Sequence, residues 1–498
     1  MKVSIIKNLF ILLFFGFFVK VLGLYNKIVL TQSLTLKGLT LYTKMVPIAT
    51  FFMTIANFSL GPVITQMVSI NIAKKPYSNK KIIKDGLQLA IIISSIVSII
   101  HLLLNYFICH FLLRMDILIK PFIFFIPLYY LSSITGIFKG YFHGHNKMET
   151  YATGQLFEQI IRIILVFILI KPMMNKNVIN GVVAAILTLS IGELFQDIYL
   201  FIRIILYTKI GNKPNKKSNY KTLLNKGLKL TSNKLISSIS SFLEPVIFTY
   251  AFLKTGLNIK IADELYAIIY GYAIPIILTT NFITAAIESS ILPSLIYTKE
   301  NNDDKKFSQT INKALLLSFI PASIVSFLYF FYPYEIMYLF YKTTLGASYI
   351  KLLSIPSFIA YFEGVFVSSL LACKKEKMLV FNTIITNIIH LSLIYIFVSI
   401  PKINASGIVI SFAVSLTIST LFLGYLTITK TPYKIKMKLV LPFILFYILI
   451  ILLGMIFVQK GIPPIYLLIF LGVVFLLVIS FLLLRKKTFH HLKDNVIH

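Results

Sequence analysis

Charge is scarce in this chain. Only 13% of its 498 residues are charged, and acidic side chains are scarcer still, 17 against 48 Lys and Arg. Hydrophobic residues make up 57% and the mean hydropathy is +0.86. A soluble domain cannot hide that much apolar surface, whereas a bilayer core about 30 Å thick accepts it in spans of roughly 20 residues. Cysteine is nearly absent: Cys109 and Cys373 sit near helix ends in apolar sequence, too few for a metal site and expected as packed free thiols. There is no Walker A phosphate loop, so the chain is not expected to hydrolyse ATP itself. No small-residue cleavage site follows the first apolar run, where Gly23-Leu24-Tyr25-Asn26-Lys27 is bulky and polar, so that run is expected to remain as a span. Long extracellular loops are missing as well, and His101 and His390 stand alone in apolar stretches. A membrane ligase or acyltransferase would need a nucleophile and base brought together in such loops. No catalytic residue, cofactor or metal site is expected.

What is present is an all-α polytopic membrane protein. About fourteen apolar spans are expected at 5–25, 39–70, 86–112, 119–141, 151–170, 178–206, 227–252, 262–297, 308–331, 346–372, 378–399, 405–429, 438–458 and 463–484. Several are longer than a perpendicular crossing needs, which implies tilt or kinks. Pro47 and Pro62 lie in the second span, Pro275 and Pro293 in the eighth; these four prolines are candidate gating kinks, because each frees backbone groups where bending is needed.

Alternate loops are rich and poor in lysine. If residue 1 is cytoplasmic, about 31 of the 48 Lys and Arg fall on the cytoplasmic side, about 12 on the other and about 5 within spans. The cytoplasmic set includes Lys74 to Lys84, Lys139, Lys147, Lys209 to Lys229, Lys299 to Lys313, Lys374 to Lys377, Lys430 to Lys438 and Arg485-Lys486-Lys487. That excess places both termini of a multi-pass membrane protein in the cytoplasm. It also accounts for the net charge of +31 without nucleic-acid binding, since the charge is spread over every loop on one side.

The chain repeats itself. Tyr42-Thr43-Lys44-Met45-Val46-Pro47 resembles Tyr270-Gly271-Tyr272-Ala273-Ile274-Pro275, and Pro62 pairs with Pro293. Lys147-Met148 matches Lys377-Met378, and Asn180-Gly181-Val182 matches Ser406-Gly407-Ile408. The spacing is about 230 residues throughout and covers six spans, so the two copies run in the same direction as parallel repeats around an axis along the membrane normal, an arrangement that handles substrate between the lobes. The expected organisation is a six-helix lobe at 1–211, a basic cytoplasmic linker at 212–226, a second six-helix lobe at 227–430, and an appended helix pair with a basic tail at 431–498.

Six plus six helices with two more at the end resembles the multidrug/oligosaccharidyl-lipid/polysaccharide (MOP) exporter superfamily. Gly136-Ile137-Phe138-Lys139-Gly140, followed by Gln155-Leu156-Phe157-Glu158-Gln159-Ile160-Ile161-Arg162, is similar to a segment of its stage V sporulation protein B and polysaccharide biosynthesis flippase group. Lys20-Val21-Leu22-Gly23-Leu24-Tyr25 and Gly192-Glu193-Leu194 are similar to that group as well. The chain departs from it at Asn26-Lys27 and at His143-Gly144-His145. The resemblance, which runs along essentially the whole chain, implies a flippase for undecaprenyl-linked saccharides, close to the lipid II flippases of peptidoglycan synthesis, with use in the spore cortex. It implies a lipid-linked saccharide and membrane lipids as partners, with cell-wall synthesis proteins as further candidates for a monomeric transporter.

Charges inside a membrane cost at least about 2.5 kcal/mol each, so every one is a functional candidate. Lys20, Lys44, Arg162 and Lys234 are the candidate substrate-binding cations: lining one cavity, they would suit a polyprenyl diphosphate, with Arg clamping two phosphate oxygens and Lys acting as a point charge. Lys20 and Lys44 have a second reading, snorkelling to the outer interface. Glu158 lies one turn before Arg162, at the favourable spacing for an ion pair, either structural or exchanged during transport. Glu158, Glu193, Asp197, Glu288 and Glu363 are candidates for coupling to H+ or Na+, with the membrane potential as the alternative drive. Asn57, His101, Asn281 and His390 are read as hydrogen-bond partners between helices. A drug/cation antiporter of the same superfamily, and a non-transporting scaffold for sporulation or cell-wall machinery, are the competing functions.

Overall fold

The computed structural model describes residues 2–74, 79–207, 220–279, 281–434, 437–463, 465–466 and 469. All regular structure in these residues is helical. In the first half, α1 (Lys2–Ser33), α2 (Leu36–Asn57), α3 (Leu60–Lys74), α4 (Asn79–Phe107), α5 (Ile119–Ile123) and α6 (Ile126–Gly144) are followed by α7 (Met148–Leu165), α8 (Lys171–Lys176) and α9 (Val178–Tyr207). The second half holds α10 (Tyr220–Leu253), α11 (Ile259–Ile268), α12 (Ile274–Thr279), α13 (Asn281–Glu300), α14 (Asp304–Phe331) and α15 (Pro333–Tyr341). It continues through α16 (Ala347–Leu352), α17 (Ser354–Ala360), α18 (Glu363–Ala372), α19 (Glu376–Val398) and α20 (Ser406–Lys430) to α21 (Met437–Gln459).

Nine helices among the described residues are long and apolar enough to cross a membrane, or ten if the pair Asp116–Ile123 and Ile126–Gly144, bent by 42°, is one span. This is a multi-pass membrane protein. Most of the expected last span, 463–484, and the tail after it lie outside the described residues, as do 212–219 of the expected linker. The rest of that linker is corrected: α10 is already helical from Tyr220, because Leu223 packs into the core of the first half and holds its first turn.

The repeat is written into the backbone. Asn146 and Lys374 both have positive φ, 56° and 57°, and so do Arg114 and Lys342, 54° and 57°; each pair is 228 positions apart. The hydrogen bonds of the first pair of turns also coincide, with Lys147 N to Phe142 O at 2.9 Å and Lys375 N to Leu370 O at 2.9 Å. Each turn hands one membrane helix to the next at the lysine-rich end.

The kinks fall differently from the prolines. Pro47 sits inside α2 without interrupting it; its neighbours Met45, Ile48 and Ala49 are buried, and their packing offsets the one lost backbone bond. The break comes instead at Phe58 and Ser59, with φ of 47° and 50°. Pro62 then occupies the first turn of α3, where an N–H would have no partner in the helix. In the other half a π-helical turn at Ile269–Ala273 precedes Pro275 in the first turn of α12, and Pro293 lies inside α13.

Interhelical polar contacts hold the bundle. Asn57 Nδ2 donates to Ser132 O at 3.0 Å, His101 Nδ1 lies 2.6 Å from Tyr129 Oη, and His390 Nδ1 lies 3.5 Å from Ser415 Oγ. The side chain of Asn281 is outside the described residues. The two cysteines are unpaired thiols, Cys109 buried and Cys373 partly so.

The apolar core has an informative shape. At the lysine-poor end one continuous cluster joins both halves, from Leu39, Phe52 and Phe122 to Phe248, Tyr266 and Ile350. At the lysine-rich end the cores separate: Leu60, Val68, Leu89 and Phe142 pack in the first half, and Leu295, Phe307, Ala314 and Val365 in the second. Among the described residues of that first-half cluster, those from the second half belong to the early turns of α10, with Leu223 buried in it and Tyr220 and Leu230 packed against it. The halves are thus sealed together at the lysine-poor end and part toward the lysine-rich end.

Within the first half, α3 and α6 touch backbone to backbone through small residues, as membrane helices do when dispersion is the only attraction available. A Cβ at Gly140 would lie 2.4 Å from Gly61 O. Gly140→Val is therefore expected to separate α3 from α6 at a cost of about 1–3 kcal/mol, read as a lower melting midpoint in detergent. Gly16→Ala meets nothing within 4 Å and should melt with the wild type.

Candidate functional site

The seal between the halves is built on Lys44. It projects from α2 near the lysine-poor end, is completely buried, and places its ammonium 2.9 Å from Asp263 Oδ1 on α11. The hydrogen bond it donates goes to Thr249 Oγ1 on α10 at 2.6 Å, and the rings of Tyr266 and Phe248 face it at 5.0 and 5.5 Å. A cation from one half is thus held by a carboxylate, a hydroxyl and two aromatic faces from the other. Further polar contacts cross at the same end. Thr31 Oγ1 donates to Gly271 O at 3.4 Å, Gln32 Nε2 to Phe340 O at 2.7 Å, and Tyr250 Oη to Phe111 O at 2.6 Å.

Toward the lysine-rich end two like charges from different halves act on one another. Lys139 on α6 and Lys234 on α10 are both exposed, and their ammonium groups are near enough to act on one another. Lys139 also lies over the Tyr151 ring at 5.1 Å. Like charges oppose closure at this end, and an anion between them would remove the repulsion.

Inside the first half, Arg162 of α7 pairs with Glu158 one turn earlier at 2.6 Å. Its guanidinium also reaches Leu189 O on α9 at 3.4 Å. Gly192 makes room for it: a Cβ there would stand 2.5 Å from Arg162 Cγ. Glu193 follows on the same helix, and Asp197, buried, accepts a hydrogen bond from Thr135 Oγ1 on α6 at 2.7 Å. The second carboxylate oxygen of Asp197 has no hydrogen-bond partner among the described residues. Next to this group Asn26 of α1 and Gln159 of α7 are 3.5 Å apart. The first half therefore carries one connected polar station in its interior.

The second half carries another. Glu288 of α13 and Glu363 of α18 line one cavity of about 200 Å³. Nearby, Glu244 Oε2 lies 3.8 Å from His390 Nε2.

The structure does not bring the four sequence-nominated cations into one cavity. Lys44 is locked in the seal, because α10 and α11 encase it; Arg162 is paired within its own half; Lys20 on α1 and Lys234 on α10 are exposed. Asp263, which decides the fate of Lys44, had one visible signal, an acid within two turns of the start of an apolar helix. Lys139 had none, since a lysine at the cytoplasmic end of a span reads as a topology marker. Among the four prolines, Pro62 and Pro275 adjoin backbone irregularities, while Pro47 and Pro293 lie within continuous helix. No group of three or more His, Cys, Asp or Glu side chains suited to a metal occurs among the described residues.

Comparison with known proteins agrees with this architecture. A family model described as polysaccharide biosynthesis protein matches residues 5–293. Stage V sporulation protein B of Bacillus subtilis is 24% identical over 448 residues, covering 88% of this chain and 86% of the relative. Among solved structures, lipid II flippase MurJ in an inward closed conformation superposes with a TM-score of 0.70 at 15% identity, covering 95% of this chain and 98% of that one. An inward-facing multidrug resistance MATE family transporter of the MOP superfamily gives a TM-score of 0.68 at 14% identity over 83% and 94% of the two chains.

Removing one partner of a buried ion pair strands the other charge, at about 3–5 kcal/mol. Lys44→Ala should lower the melting midpoint accordingly, and the exchanged pair Lys44→Asp with Asp263→Lys should recover most of the loss. Thr249→Ala should cost about 1 kcal/mol. Equal melting of Lys44→Ala and wild type would show that the pair contributes no closing energy.

Proposed function

The chain belongs to the polysaccharide biosynthesis protein family, and from that premise we propose that it carries an undecaprenyl-diphosphate-linked saccharide from the inner to the outer leaflet by alternating access. The observation that carries the reading is the opposite arrangement of charge at the two ends. A buried Lys44–Asp263 pair holds the lysine-poor end shut, while Lys139 and Lys234 set two cations against each other where the cores part. An anionic headgroup is the cargo that such an opening attracts.

With the lysine-rich loops in the cytoplasm, the open side faces the compartment in which the precursor is made. The diphosphate enters between Lys139 and Lys234, and its prenyl chain stays in lipid. Arg162 stands further in, its fork held by Glu158 until phosphate oxygens take the carboxylate's place. Neutralising the two lysines removes their repulsion and lets the cytoplasmic side close. The outer side opens only when the Lys44 pair separates, so the two ends are not open together. The inside-negative potential favours outward passage of the anion by about 2.3 kcal/mol per charge per 100 mV.

The cationic opening favours this reading over a drug/cation antiporter, whose cargo Lys139 and Lys234 would repel. The test is complementation in bacteria depleted of their own lipid II flippase, following growth and lipid II at the outer surface. Rescue is expected. Arg162→Ala should abolish it with folded protein still in the membrane, and Lys139→Gln with Lys234→Gln should cut translocation about tenfold or more, the loss of two charge-assisted contacts. Full rescue by Arg162→Ala would remove that residue from the cargo path. Absence of rescue by wild-type protein present in the membrane would point to another glycan lipid or to a drug-type exporter.

A further inference from the structure

The mechanism above makes no use of the break in the second span. Leu36–Ile70 counts as one crossing, yet it is interrupted at Phe58 and Ser59, where φ is 47° and 50°. Left-handed backbone crowds the Cβ of an L-residue and is taken routinely by glycine, occasionally by Asn or Asp. The other non-glycine residues of positive φ among the described residues, Arg114, Asn146, Asn302, Lys342, Lys374 and Asn404, are single and lie in connections between helices. Phe58 and Ser59 are consecutive and inside a span, and for a bulky residue such as Phe58 this conformation is a genuine outlier.

A second cost falls on the same step. Ser59 is only 1% exposed, and its Oγ has no hydrogen-bond partner among the described residues. Its neighbours show what such a hydroxyl does in unbroken helix: Thr50 donates to Val46 O at 2.8 Å, Thr54 to Thr50 O at 2.8 Å and Thr65 to Gly61 O at 2.9 Å. Continuous helix would offer Ser59 the carbonyl of Ile55 in the same way. That carbonyl is instead taken by the Phe58 N–H at 3.1 Å, in the tight turn that ends α2. Pro62 does not by itself require the break, because Pro47 lies within α2 without one.

The step is held from the other half. Gly227 of α10 is buried, and a Cβ there would stand 2.3 Å from Phe58 Cε1 and 3.1 Å from Phe58 O, so the bare glycine is what admits the ring. One turn away, Ser238 of α10 donates to Thr54 Oγ1 at 3.0 Å. On the first-half side, Gly61 and Gly140 press α3 against α6 backbone to backbone. That leaves α2 as the part that turns, with the Asn57 bond to Ser132 O the tie it must release. The same helix carries Lys44 to the seal.

We propose that Phe58 and Ser59 form a strained latch. Seated against Gly227 while the lysine-rich end is parted, they hold α2 broken from α3; their relaxation into continuous helix turns α2 and draws Lys44 away from Asp263 at the opposite end. Both ends lie on one helix of 22 residues, so strain at the first is felt at the second. The inference rests on the alternating access of the transport reading but not on its cargo. It is measured without lipid substrate, so its failure leaves the cargo reading standing, and complementation tests that reading separately.

The experiment uses the full chain in detergent, spin-labelled at Lys176→Cys and Lys402→Cys, exposed positions on the lysine-poor side of the two halves. Cys373→Ser removes the partly exposed native thiol, and Cys109 is buried. The distance distribution then reports closed and open forms of that end. Ser59→Val, β-branched at a positive φ, should raise the ratio of long to short distances about fivefold or more. Gly227→Ala ejects the Phe58 ring and should shift the ratio the same way with Ser59 intact, which keeps the test decisive if valine prevents folding. Ser59→Gly removes the left-handed penalty and should leave the long fraction at or below that of the wild type. Opposite responses to valine and glycine at one position are a signature that loss of packing alone would not give. A long fraction raised by neither Ser59→Val nor Gly227→Ala, or raised by Ser59→Gly, overturns the proposal.

Discussion

A buried ion pair lies at the centre of the contacts that tie the halves of this molecule together. Lys44 and Asp263 come from different repeats and meet out of water, among aromatic faces and one hydroxyl. Such a pair is strong while intact and expensive when half-broken, because each charge then lacks both solvent and counter-charge. A half-separated pair is therefore the costly arrangement, and the apolar cluster around the pair makes it more so by excluding water.

The rest of the architecture ties each half together internally. Backbone contact between α3 and α6 and the paired turns at Asn146 and Lys374 stiffen each lobe internally. Helix regularity is interrupted at defined places: the left-handed step at Phe58 and Ser59, the π-helical turn ahead of Pro275, and the gap between α17 and α18. Each of these lies in a span that borders the other half or a cavity, where freed backbone groups find partners in protein. The prolines mark the neighbourhood of bending more than the bend itself.

Charge within the spans is handled in three ways. At the seal, opposite charges from the two halves neutralise each other. Within the first half, Arg162 and Glu158 do so along one helix, with the carbonyl of Leu189 as an additional acceptor. Toward the lysine-rich end Lys139 and Lys234 stay exposed and unneutralised by each other. This last arrangement leaves attraction for an anion arriving from outside, which is why the cargo reading rests there and not on the total of +31.

The sequence alone determined the environment, the helical class, the repeat, the family resemblance and the Glu158–Arg162 pair. All of these follow from local regularities: apolar runs of bilayer length, a fixed offset between copies, four residues per helical step. It could not reveal that Lys44 belongs to Asp263, that Lys139 and Lys234 act on one another, or that Glu288 and Glu363 share a cavity. Those pairings join helices far apart in the chain, and which faces meet is decided by glycine contacts and helix breaks whose consequences are three-dimensional. Periodicity tells which side of a helix a residue occupies, whereas only tertiary packing tells what stands opposite, and for a charge in a membrane the opposite group decides whether it seals, supports or binds.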